Sequence, residues 1–282
     1  MQTIRPAAVA GLFYPDAPGA LGSAVRAYLA QAMPRGEPPA LPKAMIVPHA
    51  GYVYSGPVAA SAYARLAAGR STIRRVVLLG PVHRVPIRGL ALPVANAFAT
   101  PLGTVEVDAA AAAEALRLPQ VRTSEAAHAL EHSLEVQLPF LQTALDAFRI
   151  VPFAVGDASA SEVAAVIDRL WGGPETLILL SSDLSHYHPY DQARAIDRGT
   201  AEEILALTAA LDHEQACGAT PINGFAVCAR RRGLSPELLD LRNSGDTAGD
   251  KLRVVGYAAV AFNERLAVGA PRSVAAVEEV VA

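Results

Sequence analysis

The chain is poor in cysteine and in charged residues, and both scarcities narrow the class of protein. Only two cysteines occur among 282 residues, which excludes a disulfide scaffold and favours a reducing compartment such as the cytoplasm. Charged residues make up 18% of the chain and its formal net charge is -3. There is therefore no basic surplus to neutralise the phosphates of a nucleic acid, and we expect no nucleic-acid partner.

Long apolar runs are also missing. Runs such as Leu177–Leu180 fall far short of the ~20 residues that a membrane-spanning helix needs, and no apolar signal-peptide core follows Met1. Hydrophobic residues nevertheless make up 52% of the chain, which is enough for a large buried core. We expect a cytoplasmic protein without a membrane partner, folded as one domain over residues 1–282.

Short β-branched or leucine-rich runs alternate with helical patterns along the chain. The runs typical of strands are Met45–Val47, Arg75–Leu79, Arg149–Val155, Thr176–Leu180, Leu238–Arg242 and Val254–Phe262. The helical patterns are Pro57–Ala68, Ala109–Leu116, Ser133–Leu145, Ser161–Leu170, Gln192–Leu207 and Pro221–Arg231, and the tail after Val268 suggests a further helix. This order predicts the α/β class, as a three-layer α/β/α sandwich around a mostly parallel or mixed sheet.

Histidine and aspartate residues directly follow three of these strands. His49 follows the first, His83 the second, and Asp183 and His186 follow the strand that ends at Leu180. Ligands of open α/β sheets bind outside the carboxyl ends of the strands, so we expect these side chains to converge. Two imidazoles with a carboxylate or thiolate can bind a divalent metal and leave coordination positions open. In the alternative interpretation each histidine only caps its strand.

The two cysteines have different surroundings. Cys217 lies just ahead of the helix predicted from Pro221, and a thiol near a helix N-terminus has a favoured thiolate. Cys217 is therefore a candidate metal ligand or nucleophile, although a buried inert thiol is the alternative. Cys228 lies inside that helix and fits the inert type.

The segment His128–His132 matches the H-x-x-E-H pattern of inverted zinc peptidases. On a helix, its two histidines would share one face and Glu131 could act as a base. The pattern is short, and Ser124 and Glu125 indicate a helix start or a loop rather than the middle of a helix. Glu131 and His132 are expected to line the main crevice instead.

At six ordered motifs the sequence resembles the MEMO family, whose prokaryotic members are named AmmeMemoRadiSam system protein B. The motifs are Ala10–Tyr14, Pro48–Tyr52, Gly80–His83, Glu131–Glu135, Ser181–His186 and Cys217–Gly218. His128 lies outside this pattern, which disfavours the zinc-peptidase interpretation. The resemblance implies a fold like that of the class III extradiol dioxygenases, which use non-haem Fe(II).

The same resemblance implies roles for particular residues. It implies His49, His83 and Cys217 as ligands of a divalent metal, with Fe(II) first and Cu or Zn as alternatives because a thiolate is a soft ligand. Asp183 and His186 match catalytic pocket residues, with His186 as the acid/base group. Tyr52, Glu131 and His132 fall in the motifs expected to line the substrate pocket. The family name also implies an AMMECR-type protein and a radical SAM protein as partners.

Three functions agree with these features. The first is an extradiol dioxygenase-like oxidoreductase acting on a small molecule or a peptide. The second is a non-catalytic metal- or peptide-binding module that serves the two partner proteins. The third is a hydrolase, either zinc-dependent or with Cys217 as its nucleophile.

Overall fold

The computed structural model describes residues 3–33 and 40–264. Its strands are β1 (Ile4–Arg5), β2 (Ala44–Val47), β3 (Arg75–Pro81), β4 (Leu90–Leu92), β5 (Ala97–Thr100), β6 (Gly103–Glu106), β7 (Val121–Thr123), β8 (Arg149–Val155), β9 (Thr176–Ser181), β10 (His186–His188), β11 (Ser235–Asn243) and β12 (Val254–Asn263). Its helices are α1 (Pro18–Ala32), α2 (Tyr52–Tyr63), α3 (Ala109–Ala115), α4 (Glu125–Ala129), α5 (Leu138–Ala144), α6 (Ala160–Arg169), α7 (Tyr190–Ala206), α8 (Ala219–Arg232) and α9 (Ser244–Thr247). Short 3₁₀ segments cover Ala64–Gly69 and Glu135–Gln137.

The main sheet has a parallel centre and antiparallel edges. Its strand order is β10-β12-β2-β9-β3-β8-β4-β7, with β11 also paired to β12. Strands β2, β9, β3 and β8 are mutually parallel, whereas β12 runs antiparallel to β2 and β4 antiparallel to β8. The carboxyl ends of the four central strands therefore meet at one edge of the sheet.

Alternating side chains of the central strands enter two separate apolar layers. Ile46, Val77 and Ile178 pack in one layer with residues of α3, α6, α7 and α8. Met45, Val76 and Leu177 pack in the other layer with residues of α1, α2 and α5. The sheet is thus covered on both faces, and the predicted three-layer α/β fold is confirmed. The prediction of a single domain stays a prediction.

Several predicted elements need correction. The helix predicted from Pro57 begins at Tyr52, and Pro57 is its sixth residue, where the missing N–H leaves the carbonyl four residues earlier without its helical hydrogen bond. The helix predicted over residues 133–145 is divided into a 3₁₀ turn and the short α5. Helix α1 and the small sheet β1-β5-β6 were not predicted. The tail helix predicted after Val268 lies outside the described residues.

Within the described ranges, no helix has both the length and the apolarity required to cross a membrane.

Two arginines at the end of α8 contact a neighbouring helix. Arg231 and Arg232 both form ion pairs with Asp168 of α6. Cys228 is fully buried in the apolar layer beneath that helix, as its sequence context predicted.

Candidate metal centre

Three histidines meet beyond the carboxyl ends of the central strands. His49 follows β2 and His83 follows β3, while His132 comes from the segment between α4 and the 3₁₀ turn at Glu135. Each offers a ring nitrogen, and the three nitrogens lie within 4.8 Å of one another. Imidazoles at this separation could hold one metal ion, so the structure brings the two predicted histidines together with His132, which was expected only to line the pocket.

The hydrogen bonds of His49 fix which of its ring nitrogens is free. Its Nδ1 lies 2.9 Å from Ser181 Oγ. The Ser181 hydroxyl donates its only hydrogen to the Ser133 carbonyl at 2.6 Å, and Ser181 Oγ itself accepts a hydrogen bond from Gln137 Nε2. Ser181 Oγ can therefore only accept from His49, so Nδ1 bears the hydrogen and Nε2 keeps its lone pair. This is the orientation in which a second layer of hydrogen bonds prepares a metal ligand.

Glu131 orients His83 in the same way. Its Oε2 accepts the backbone N–H of His83 at 2.7 Å, and its Oε1 lies 2.9 Å from His83 Nδ1. Burial raises the pKa of Glu131, but hydrogen bonds from His83 and from the Ser133 N–H outweigh it and bring that pKa to about 2. Because the carboxylate can only accept, His83 donates from Nδ1 and its Nε2 is free for a ligand.

His132 is held by aromatic contacts. Its ring stacks on that of His83, with 4.6 Å between the centroids, and the centroid of the Phe13 ring lies 4.7 Å from that of His132. Burial lowers the pKa of His132 to about 4, and burial also lowers the pKa of His49 well below its usual value. Both imidazoles are therefore neutral near pH 7, which is the form that binds metals.

Cys217 lies next to one of the three histidines, His49. Its Sγ lies 3.3 Å from His49 Nε2, but it is not part of the group of mutually close ligand atoms. Burial and the charge of Asp183 raise the pKa of Cys217 to about 12. The expected thiolate is thus not favoured by the protein itself, because burial outweighs the helix that begins at Ala219. The protonated thiol can donate to the free His49 Nε2.

Asp183 and His186 border the histidines without joining them. The Oδ1 of Asp183 accepts the His49 backbone N–H at 2.7 Å, and burial raises its pKa to about 7. Its position supports the loop that carries His49 rather than adding a fourth ligand. His186 lines the same cavity, and burial lowers its pKa, so its imidazole is neutral near pH 7.

The histidines open into a cavity of about 680 Å³. Besides His49, His83, His132, Asp183 and His186, its wall contains Phe13, Ala50, Gly51, Tyr54, Tyr187, Ser244, Ala248, Gly249, Asp250, Arg253, Val255 and Tyr257. The sequence did not point to Tyr54 or Arg253 as site residues, and residues 244–250 were expected to form a plain surface loop rather than a lid, because α2, β12 and these residues meet only in the folded protein.

Two residues expected to line the pocket lie behind it instead. Tyr52 is buried, and its hydroxyl donates to the Val136 carbonyl at 2.6 Å. Glu131 is buried as well and contacts His83 rather than the cavity. In both residues the polar atoms already form hydrogen bonds within the protein, and these bonds hold the segments that carry the histidines.

The H-x-x-E-H pattern does not form a zinc site. Helix α4 ends at Ala129, so Glu131 and His132 lie beyond it and the two histidines do not share a helical face. His128 is buried, with its Nε2 at 2.8 Å from the Ala91 carbonyl. The pattern therefore contributes His132 to the cluster and leaves His128 in the core.

Asp197 of α7 supports the loop of His186 from below. Its Oδ1 accepts the Ser185 N–H at 3.0 Å. The backbone of Gly256 packs directly against this carboxyl group, because a Cβ atom at position 256 would lie only 2.1 Å from Asp197 Oδ2. Burial raises the pKa of Asp197 from 3.8 to about 6. Burial therefore favours the protonated carboxyl group over the charged carboxylate.

A pH-dependent contribution to stability follows from Asp197. Between pH 3.8 and about 6, the folded protein binds a proton that the unfolded chain releases, so this group's contribution to stability falls as pH rises through that window. The two-unit shift corresponds to ~3 kcal/mol. We expect Asp197→Asn to remove this part of the pH dependence in urea unfolding measured from pH 4 to 7. An unchanged pH profile in the variant would contradict the assignment.

Comparison with known proteins agrees with the motifs. The model of the family described as Memo-like protein matches residues 5–261. A MEMO1 family protein of Methanopyrus kandleri is 38% identical over 286 residues, which cover 92% of this chain and 98% of the relative. One from Aquifex aeolicus is 38% identical over 280 residues, covering 92% and 99%. One from Sulfolobus acidocaldarius is 34% identical over 284 residues, covering 93% and 100%. The chain therefore belongs to the Memo-like protein family.

Proposed function

We propose that this protein is a metal-dependent oxidoreductase of the extradiol dioxygenase type, working in the cytoplasm. His49 and His83 would bind a divalent metal, Fe(II) foremost and Cu or Zn as alternatives, with His132 or Cys217 as third ligand. The observation that carries the proposal is the tautomer of the two histidines, since Ser181 and Glu131 leave both Nε2 atoms free. Imidazole nitrogen is a ligand that suits iron, copper and zinc alike.

When bound, Fe(II) would supply Lewis acidity and redox chemistry at the floor of the cavity. The protein's own residues would bind and orient the substrate and move its protons. His186 is neutral and faces the cavity, so it would accept a proton from a substrate hydroxyl group at its imidazole. Asp183 would keep the His49 loop in place through the backbone N–H that it accepts.

Oxygen uptake with catechol-type substrates tests the reaction. Protein loaded anaerobically with Fe(II) is mixed with catechols and oxygen, and consumption of oxygen is followed together with the absorbance of ring-opened products. We expect His186→Gln to lower turnover by about 10²–10⁴-fold because a general base is lost, with its iron content unchanged. His213→Gln is the matched control, since His213 is exposed and contacts Thr220. Full iron loading without oxygen uptake over a broad catechol panel would refute the oxidoreductase.

A second candidate is a binding module that works with AMMECR-type and radical SAM partner proteins, or with a peptide. The supporting observation is a set of exposed apolar side chains that line the cavity or neighbour its lining residues in sequence: Leu12, Val53, Tyr54, Tyr187 and Leu252. Such side chains are typical of surfaces that contact another protein. A complex that survives His49→Ala but is lost in Tyr187→Ser or Leu252→Ser would favour the module.

The hydrolase with Cys217 as nucleophile has less support. A nucleophilic cysteine needs a lowered pKa, whereas burial raises the pKa of Cys217 to about 12. The two unpaired cysteines do fit the reducing compartment that we propose.

A further inference from the structure

Strand β10 begins at His186, and its pairing with β12 is irregular. His186 lies opposite Val255, and His188 lies opposite Val254, so two steps along β10 match a single step along β12. Tyr187 is therefore the extra residue of a β-bulge. Bulges next to a site change the direction in which a side chain points.

The bulge places two consecutive side chains in the wall of one cavity. Consecutive residues of a regular strand point to opposite faces of the sheet. Here His186 and Tyr187 both line the histidine cavity, whereas His188 does not. The rings of His186 and Tyr187 lie edge to face, with 5.8 Å between their centroids. A ligand group that touches the Tyr187 ring is thus also close to the imidazole of His186.

The backbone of Tyr187 is strained. Its φ is +62°, in the left-handed region that disfavours a residue with a Cβ atom and in which glycine is the ordinary residue of a bulge. Of the three non-glycine residues with positive φ in the described part of the chain, Tyr187, Leu207 and Ala209, only Tyr187 lines this cavity. Tyr187 is also 62% exposed, so burial in the apolar core does not account for a large side chain at this position. Strained residues of this kind cluster at ligand sites.

The wall of the histidine cavity is rich in aromatic side chains. Phe13, Tyr54 and Tyr257 line it together with Tyr187. The guanidinium carbon of Arg253 lies over the Tyr187 ring, 5.1 Å from its centroid, and this attraction holds the exposed ring against the wall. An aromatic wall suits a flat aromatic ligand, because aromatic rings pack on one another in offset-stacked or edge-to-face arrangements.

We propose that the Tyr187 ring is a substrate contact, on which an aromatic ring of the substrate packs beside the imidazole of His186. The choice of an aromatic substrate rests on the proposed function, in which His186 accepts a proton from a hydroxyl group of a catechol-type molecule. The bulge and the left-handed backbone place the Tyr187 ring next to His186. Tyr187 thereby favours aromatic over aliphatic ligands.

Absorbance titration of the full chain with 4-nitrocatechol and with 4-nitrophenol, under nitrogen and without added metal, tests the contact. Tyr187→Gly removes the ring, and Tyr187→Phe keeps it. Ala209→Gly is the matched control, because Ala209 has a φ of +60° and does not line the histidine cavity. We expect Tyr187→Gly to weaken the binding of both probes by about tenfold. Tyr187→Phe and Ala209→Gly are expected to bind both probes as the original protein does.

Urea unfolding of the same variants, with Tyr187→Ala added, separates the ligand contact from a structural role. Glycine relieves the left-handed strain that alanine retains, so we expect Tyr187→Gly to unfold at a higher urea concentration than Tyr187→Ala. Weaker probe binding in a variant whose backbone is relaxed shows that the ring serves the ligand rather than the fold.

Four results would overturn the proposal: no saturable binding of either probe, undiminished binding in Tyr187→Gly, a loss in Tyr187→Phe or Ala209→Gly equal to that in Tyr187→Gly, or lower stability of Tyr187→Gly than of Tyr187→Ala. Neither measurement uses iron or oxygen. Lack of oxygen uptake would therefore refute the oxidoreductase without changing these results, and a failed titration would refute the Tyr187 contact alone.

Discussion

Glu131→Gln is expected to lower the affinity for divalent metal by about 10–100-fold, the usual effect of losing a hydrogen-bond partner behind a metal-binding histidine. The Glu131 carboxylate accepts from the backbone N–H and Nδ1 of His83 and from the Ser133 N–H. A glutamine can present only one oxygen, so one of these donors would face an NH₂ group. His83 would then lose the orientation and the tautomer that keep Nε2 free.

Competition with a chelating dye measures this effect for Zn(II), Cu(II) and Fe(II). Glu125→Gln is the matched control, because Glu125 is an exposed residue of the first turn of α4. We expect its metal affinity to equal that of the original protein. Equal affinities for Glu131→Gln and Glu125→Gln would show that Glu131 does not prepare His83 for a metal.

The largest loss of stability is expected from Arg5→Met. The Arg5 guanidinium donates to Glu135 at 2.5 Å, to the His128 carbonyl at 2.7 Å and to the Glu131 carbonyl at 2.6 Å, and the Arg5 and Glu135 side chains are 4% and 0% exposed. Removing one partner leaves a buried charge uncompensated, which costs about 3–5 kcal/mol. The midpoint of urea unfolding at constant slope measures this loss.

Two further variants separate burial from simple loss of an ion pair. Arg70→Met breaks the exposed Arg70–Asp146 pair and is expected to cost less than about 1 kcal/mol. Adding Glu135→Gln to Arg5→Met removes the stranded negative charge but keeps an acceptor oxygen for the donors that Glu135 also serves, and it should recover part of the stability. A loss in Arg5→Met no larger than in Arg70→Met would contradict this account.

The buried pair also links the start of the chain to the candidate site. Glu135 accepts the N–H groups of Ala8 and Val9 and the hydroxyl of Tyr14. This holds the segment that carries Phe13, whose ring contacts His132. The first strand and the residues after it are therefore part of the support of the site, although they lie far from it in sequence.

The central strands could be predicted because their sequence signal is local. The predicted run Arg149–Val155 is the observed β8, and Arg75–Leu79 needs only two more residues. Buried parallel strands read as continuous apolar runs, and the residues that follow them must meet at one edge. That rule placed His49, His83, Asp183 and His186 around one cavity without any knowledge of side-chain contacts.

The parts that were missed depend on distant partners. Helix α1 is rich in alanine and glycine, and it has neither a side-chain cap nor an acidic first turn, so its packing against α2 and α5 stabilises it more than its own sequence does. The small sheet forms from strands of two to four residues, which are too short to show a period of two.

Within the site, the sequence could not show whether His132 or Cys217 is the better candidate for the third metal ligand. The place of His132 depends on where α4 ends, and its contact with His83 arises only after folding. The pKa of Cys217 depends on the depth of its burial, which outweighs the nearby helix start on which the sequence argument rested. Both properties are set by tertiary contacts.

Elemental analysis of anaerobically purified protein tests the central claim most directly. The original protein is compared with His49→Ala, His83→Ala, His132→Ala and Cys217→Ala, and with His213→Ala as the control. We predict close to one divalent metal ion per chain, kept in His213→Ala and lost in His49→Ala and His83→Ala, and loss in His132→Ala or in Cys217→Ala would identify the third ligand. A protein that holds no metal even after reconstitution with Fe(II), Cu and Zn, or that keeps its metal in His49→Ala and His83→Ala, would contradict the account.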